Sequence, residues 1–192
     1  NRCMTTPPVP NLDAAGVPAL HFADAPQHVL LTGGTGFVGR HLVAALLADG
    51  YSVTVWTRDV AAAARRFGAT VRCVRQLDEI PATPAVDVVV NLAGARIVGP
   101  RWTAARQAAL LASRAGLTDD LVAWIARRPV KPWLMLSGSA VGYYGVQPQG
   151  DVAELTESSP PQPLFMSRLC QAWEASASAA AAHGVRVACM RF

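Results

Sequence analysis

A cluster of glycines directly after a short apolar run constrains the fold of this chain more than any other feature. The apolar residues 29–31 lead through Thr32 into the glycine-rich stretch 33–39, and an apolar helical pattern then continues to Gly50. A strand, a tight glycine turn and a helix in this order present backbone N–H groups and a positive helix end to a phosphate. The stretch therefore predicts a nucleotide-binding turn.

Two glycine spacings fit this turn, the G-x-G-x-x-G form that starts at Gly34 and the wider form that starts at Gly33. An early glycine permits the turn, Gly36 lets the backbone approach a pyrophosphate, and Gly39 lets the helix pack close to the strand. The alternative is a flexible loop in an alanine-rich chain, but the flanking strand and amphipathic helix argue against it. The predicted cofactor contacts in this turn are Gly33, Thr35, Gly36, Phe37, Val38 and Gly39.

Strand and helix patterns alternate from His28 to the end of the chain. Such alternation predicts an α/β fold, a doubly wound parallel sheet of the Rossmann type with strand order 3-2-1-4-5-6. Residues 1–27 contain five prolines and little periodicity, so they are predicted to be a leader or linker, and 28–192 to be the nucleotide-binding domain. The predicted strands are 29–32, 52–57, 70–74, 86–91, 133–137 and 185–191, and the predicted helices are 37–49, 61–67, 103–127 and 165–183.

The sixth predicted strand runs almost to Phe192, where the sequence ends. No segment then remains to close a substrate pocket over the carboxyl ends of the strands. Two organisations stay open at this point. The chain is either a complete minimal domain, or a chain from which a substrate lobe is absent.

Composition narrows the classes of function. The formal net charge is +4, and scattered arginines carry nearly all of the positive charge, which does not favour a nucleic-acid surface. The four cysteines form no C-x-x-C pair and have no histidine at ligand spacing, so neither a metal site nor a disulfide framework is expected. No apolar run is long enough to span a bilayer, and residues 1–27 show no charged segment followed by an apolar core. We expect a cytoplasmic protein that acts on a small molecule.

Cofactor choice in such folds is decided at the end of the second strand, roughly 20 residues past the glycines. This position holds Thr57 and Arg58, and Asp59 follows. The guanidinium fork of Arg58 suits a 2′-phosphate, and the Thr57 hydroxyl can add a contact, so NADP(H) is favoured over NAD(H). The alternatives are that Asp59 binds a ribose hydroxyl, or that Arg58 is a solvated surface residue.

The fourth and fifth strands end in residues that would face the same crevice. Small residues after the fourth strand would let the cofactor lie against the backbone, and hydroxyl groups after the fifth could hydrogen-bond a substrate and relay a proton. A tyrosine in that role normally needs a neighbouring cation, and the sequence shows no lysine nearby. The predicted cofactor contacts are Leu92, Ala93, Gly94 and Ser137, and the predicted catalytic residues are Ser139, Tyr143 and Tyr144.

Several motifs together resemble the short-chain dehydrogenase/reductase superfamily, in its extended or atypical branch of NAD-dependent epimerase/dehydratase-like proteins, often labelled sugar nucleotide epimerase-like. The resemblance spans about residues 29–192 and is more specific than any single motif. It agrees with the choice of NADP(H) at Arg58 and implies that Ser139 occupies the family's active-site serine position. The segments that carry it are 32–39, 91–94, 101–103, 113–114, 139–145, 156–157 and 173–174.

The chain departs from this family at one important place. Active members carry Tyr-x-x-x-Lys on the following helix, and the corresponding positions here are Met166 and Cys170. Both residues are better interpreted as packing residues, since both are apolar and adaptable. The sequence therefore leaves two hypotheses. The chain is an NADP(H)-dependent oxidoreductase or epimerase with an atypical proton relay, or it is an NADP(H)-binding sensor or scaffold without that chemistry. The sequence determines neither the substrate nor whether the chain forms a homodimer.

Overall fold

Six parallel strands form a single sheet in the order β3-β2-β1-β4-β5-β6 in the computed structural model. The structure describes residues 22, 25, 27–99, 101–150 and 153–192, so the predicted leader lies almost entirely outside the described residues. The observed strand ends differ from the predicted ones by only one or two residues. The strands are β1 (His28–Thr32), β2 (Ser52–Trp56), β3 (Val71–Val74), β4 (Val88–Asn91), β5 (Leu134–Ser139) and β6 (Arg186–Arg191).

Helices connect the strands, and local signals set their ends. Thr103 accepts a hydrogen bond from the Arg106 N–H and caps the third helix, and Asp59 caps the second in the same way through Ala62. Gly68 and Gly184 end helical segments with positive φ angles. The helices are α1 (Phe37–Ala48), α2 (Val60–Phe67), α3 (Ala104–Leu111), α4 (Leu117–Arg127) and α5 (Phe165–Ser178), and 3₁₀ turns include Val141–Tyr144 and Ala179–His183.

The sheet is buried on both faces, as a doubly wound sheet requires. On one face Leu30 packs with Trp124 and Ile125 of α4, and on the other its neighbour Leu31 packs with Val43 of α1. Alternate residues of the same central strand thus enter two separate cores. The arrangement leaves the carboxyl ends of β1 and β4 as the edge where the helices on the two faces diverge.

One predicted helix is interrupted by a wider turn. The pattern over 103–127 predicts one regular α-helix, but α3 and α4 are joined through a π-helical turn at Ala112–Gly116. This turn carries Arg114, which is buried between Gly94 and the ring of Trp173. Its guanidinium donates a 3.0 Å hydrogen bond to the Ala95 carbonyl, so the turn binds the loop after β4. Single π turns of this kind frequently occur at functional sites.

A buried polar network ties the carboxyl ends of three strands to α4. Thr32 of β1 donates to Asn91 Oδ1 of β4 at 2.7 Å, and Asn91 Nδ2 donates to Thr118 at 2.8 Å and to Ser137 at 3.4 Å. All four side chains are fully buried. Hydrogen bonds away from water are costly to break, so this network fixes the relative positions of the strands that border the crevice.

We expect Asn91→Ala to lower the free energy of unfolding by about 2–4 kcal/mol, because it leaves the Thr32 and Thr118 hydroxyl groups without their partner in a buried site. Urea denaturation at neutral pH measures this effect. The control is Thr70→Ala, which removes an exposed hydroxyl and should change the stability by less than about 0.5 kcal/mol. Equal stabilities of the two variants would contradict the importance of the network.

Candidate functional site

A large cavity lies at the carboxyl edge of the sheet, between the ends of β1, β2 and β4. Its volume of about 730 Å³ is in the range of known small-molecule and cofactor sites. It brings together eight of the twelve predicted cofactor contacts, which come from three separate segments of the sequence. These eight are Gly33, Thr35, Gly36, Thr57, Arg58, Leu92, Ala93 and Gly94.

The glycine turn has the shape of a phosphate cradle. Gly33 has a φ of +69°, and a Cβ there would lie 2.7 Å from the Leu92 carbonyl group, so the β1–α1 turn and the loop after β4 are in close contact. A Cβ on Gly39 would collide with the Gly33 carbonyl oxygen. The first residue of α1 follows Gly36, which has no side chain to cap the helix, so the N-terminal N–H groups are left for a ligand. These residues fit a pyrophosphate group.

The end of β2 favours Arg58 over Asp59 as the residue that faces the cofactor. Arg58 and Thr57 both line the cavity, whereas Asp59 does not. The Asp59 carboxylate instead accepts a 2.8 Å hydrogen bond from the Ala62 N–H at the start of α2. This carboxylate therefore caps α2, so there is no reason to expect that it binds a ribose hydroxyl.

The Thr32 side chain fixes the start of the loop after β4. The Thr32 hydroxyl oxygen accepts hydrogen bonds from the N–H groups of Leu92 (3.1 Å) and Ala93 (3.0 Å). Gly94 lies against Arg114, whose guanidinium would be 2.9 Å from a Cβ at that position. Small residues in this loop thus keep the wall of the cavity flat where a ribose or a base would lie.

A second cavity of about 290 Å³ continues from the same glycine turn towards β5. It is lined by the other predicted contacts of the turn, Phe37, Val38 and Gly39, together with Gly138, Trp173 of α5 and Phe192, which follows β6. Ser137 lines neither cavity, because its side chain is fully buried in the network of Asn91. The contact between Ser137 and a cofactor therefore stays a prediction. The buried position of the side chain does not favour it.

Ser139 takes part in a charged network beside the second cavity. Its hydroxyl donates a 2.6 Å hydrogen bond to Glu174 Oε1, and both carboxylate oxygens of Glu174 accept 2.8 Å hydrogen bonds from Arg191. Burial alone would raise the pKa of Glu174, but the hydrogen bonds from Arg191 and Ser139 outweigh it and lower the pKa below its ordinary value. Glu174 therefore stays ionised near neutral pH, and it accepts the only proton that Ser139 can donate.

Arg191 also reaches the two tyrosines. Its Nη1 donates to the Tyr144 hydroxyl oxygen at 2.9 Å, and its guanidinium carbon lies 3.5 Å from the centroid of the Tyr143 ring. The cation beside the two tyrosines is thus Arg191 of β6. It takes the place of the lysine that the local sequence lacks. No local motif identifies it, because the contact depends on the pairing of β5 with β6, in which Ser139 lies opposite Arg191.

This network adjoins the second cavity without lining it. Gly138, Trp173 and Phe192 line the cavity. They are the chain neighbours of Ser139, Glu174 and Arg191, respectively. A ligand in the second cavity would therefore lie close to the predicted catalytic group.

Met166 and Cys170 occupy packing positions on α5. Cys170 is only 1% exposed, and its thiol faces the Ala140 carbonyl oxygen at 3.8 Å. Burial raises the pKa of this thiol, so it stays neutral. Met166 lies against Gly142 of the 3₁₀ turn. Neither side chain replaces the acid–base function of a tyrosine and lysine pair.

Among residues 22, 25, 27–99, 101–150 and 153–192, no cluster of three His, Cys, Asp or Glu side chains is placed to hold a metal ion. Within the same residues, no helix has both the length and the apolar character to cross a membrane.

The sheet order and the glycine turn at the switch point between β1 and β4 define a Rossmann fold of the dinucleotide-binding type, which confirms the predicted fold class. The chain belongs to the NAD dependent epimerase/dehydratase family, whose family model matches residues 29–192. This match confirms the resemblance drawn from the motifs.

Curated relatives carry the same family description. Epimerase family protein YfhF of Bacillus subtilis (strain 168) is 31% identical over 170 residues, which cover 86% of this chain and 54% of that protein. Epimerase family protein SDR39U1 of Bos taurus is 37% identical over 158 residues, which cover 79% of this chain and 49% of the relative. The chain thus spans about half the length of the curated relatives it matches.

Solved structures agree with this relationship. The crystal structure of human epimerase family protein SDR39U1 (isoform 2) with NADPH superposes with a TM-score of 0.66 at 33% identity, over 85% of this chain and 52% of that chain. The nucleoside-diphosphate sugar epimerase of Corynebacterium glutamicum gives a TM-score of 0.67 at 28% identity, over 87% of this chain and 34% of that chain.

We expect the Glu174 network to make stability depend on pH. The lowered pKa of Glu174 means that its contribution is complete above the ordinary value of 4.5 and is lost as the pH falls through the lower folded value. Glu174→Gln should therefore destabilise the protein at pH 7 and have a smaller effect at pH 3–4, as measured by urea denaturation across this range. The control is Glu154→Gln at an exposed position. A Glu174→Gln effect that is constant with pH would contradict the assignment.

Proposed function

We propose that this chain is the NADP(H)-binding part of an oxidoreductase or epimerase-type enzyme. The observation that carries the proposal is the 730 Å³ cavity, in which the glycine turn, the end of β2 and the loop after β4 converge at the switch point of the sheet. A generic α/β domain has no need of three such segments with small or cationic residues at one edge. The substrate that we propose is a sugar nucleotide or a small carbonyl compound, rather than a nucleic acid or a membrane.

The segments that line the cavity can be assigned to successive parts of a bound dinucleotide. The turn 33–39 and the N-terminus of α1 would hold the pyrophosphate, and Leu92 to Gly94 would lie along a ribose. Arg58 would face the 2′-phosphate, and the human relative crystallised with NADPH supports this choice of cofactor. The nicotinamide end would extend into the second cavity, beside Gly138 and Trp173. When bound, the cofactor would supply or accept a hydride.

The hydrogen bonds of the charged network suggest distinct roles for the two hydroxyl groups. The Ser139 hydroxyl donates its hydrogen bond to the ionised Glu174 carboxylate, so its lone pairs can only accept a hydrogen bond from a substrate hydroxyl. Tyr144 accepts from Arg191 and keeps its own proton for donation. Positive charge 2.9 Å from the phenol oxygen would stabilise the negative charge that develops when this proton leaves. Tyr144 is thus the better candidate for the acid, and Tyr143 packs on the Arg191 cation.

A second candidate function is a cofactor-binding sensor or scaffold without redox chemistry. The observation that favours it is the packing of Met166 and Cys170, which occupy the helix positions of the usual acid–base pair. In this case the Ser139, Glu174 and Arg191 network would serve only to join α5 to the sheet. Cofactor binding is common to both candidates, so turnover distinguishes them. We expect a cytoplasmic location for both candidate functions, and both allow a homodimer.

The experiment follows NADPH fluorescence on titration and NADPH oxidation with a panel of carbonyl compounds and sugar nucleotides, using the full natural protein. We expect NADPH to bind, and we expect the double substitution of Tyr143→Phe and Tyr144→Phe to reduce turnover by about 100-fold or more while NADPH binding is retained. Tyr51→Phe is the matched control, because Tyr51 is buried between β2 and α1 away from the crevice.

Turnover that survives the double substitution would remove the proposed roles of the tyrosines. Tight NADPH binding with no turnover of any compound in the panel would favour the sensor. A protein that binds no NADPH would contradict both candidates.

A further inference from the structure

Two arginines follow neighbouring strands at the same edge of the sheet. β2 pairs in parallel with β3, with Trp56 opposite Val74, and the Thr57 N–H extends the ladder by donating to the Val74 carbonyl at 2.9 Å. Arg75 is the first residue after β3, and Arg58 is the second after β2. Adjacent strands lie about 4.8 Å apart, so the two chain segments leave the sheet side by side.

Trp56 fixes the position of Arg75. The indole Nε1–H of Trp56 donates a 3.0 Å hydrogen bond to the Arg75 carbonyl oxygen, so the backbone of Arg75 is held beside the end of β2. Both residues line the 730 Å³ cavity, together with Thr57 and Arg58. This part of the cavity wall therefore includes two arginines, although the sequence pattern predicts only Arg58.

Nothing in the described part of the protein neutralises these two charges. Neither guanidinium group makes a hydrogen bond or an ion pair with a described residue. The nearby Asp59 carboxylate caps α2, and among the residues that line the cavity only Asp120, on α4, carries a carboxylate. Two like charges on adjacent strands repel each other, so folding gains nothing from this arrangement. A ligand with a charge near −2, bound between the two arginines, would attract both of them and offset this repulsion.

We propose that Arg75 is a second cation for the 2′-phosphate of NADP(H), and that it acts with Arg58 as a two-sided clamp. This inference rests on the proposed function, which places the adenosine end of the cofactor in this cavity. A phosphate monoester carries a charge of about −1.5 to −2 at neutral pH and accepts paired hydrogen bonds from guanidinium groups. Each arginine would then contact the group that distinguishes NADP(H) from NAD(H).

The test compares the affinities of NADPH and NADH by fluorescence titration at low ionic strength, and displacement of NADPH by 2′,5′-ADP and by 5′-ADP. Arg75→Gln should weaken NADPH binding by about tenfold and change NADH binding by less than about twofold. Arg75→Lys should retain part of the preference because it keeps the charge. The double variant with Arg58→Gln should bind the two cofactors about equally, and 2′,5′-ADP should displace NADPH better than 5′-ADP does.

Arg72→Gln is the matched control. Arg72 is an exposed arginine on the same strand, but its guanidinium donates to the Glu79 carbonyl oxygen at 3.0 Å and does not line the cavity. It should change neither affinity. Equal losses for NADPH and NADH in Arg75→Gln, or an unchanged NADPH affinity, would overturn the clamp while leaving the proposed function intact. A wild-type protein that binds neither cofactor would overturn both.

Discussion

The hydrogen bond between Thr32 and Asn91 is the interaction on which the candidate site depends. It is 2.7 Å long, is buried completely, and joins the carboxyl ends of β1 and β4, where the order of the sheet reverses. The same Thr32 oxygen accepts from two N–H groups of the next loop, so one hydroxyl group sets the distance between the glycine turn and the opposite wall. Without this spacing, Gly33 could not approach Leu92 as closely as it does.

The crevice has two ends with different chemistry. The end near β2 and β3 presents N–H groups and unneutralised arginines, which suit phosphate groups, whereas the end near β5 and β6 is lined by glycine and aromatic side chains. Beside the second end, Glu174 and Arg191 neutralise each other and hold Ser139 and Tyr144 in fixed positions. We propose that this division orients a dinucleotide with its adenosine at one end and its nicotinamide at the other.

Much of the fold and of the candidate site could be predicted, because their signals are local in sequence. The glycine turn and the alternation of strand and helix are each set by a few adjacent residues. The contacts of Arg75 and Arg191 could not be predicted, since they depend on which strands pair and in which register. The π turn at Arg114 could not be predicted, because one added residue in a helix leaves the apolar pattern almost unchanged.

Hydrogen–deuterium exchange with and without saturating NADPH shows directly which segments of the chain bind the cofactor. We expect NADPH to slow exchange of the amides in 33–40, 57–59 and 92–95 and to have little effect on the amides of α2. Protection confined to other segments, or no protection at any NADPH concentration, would contradict this expectation.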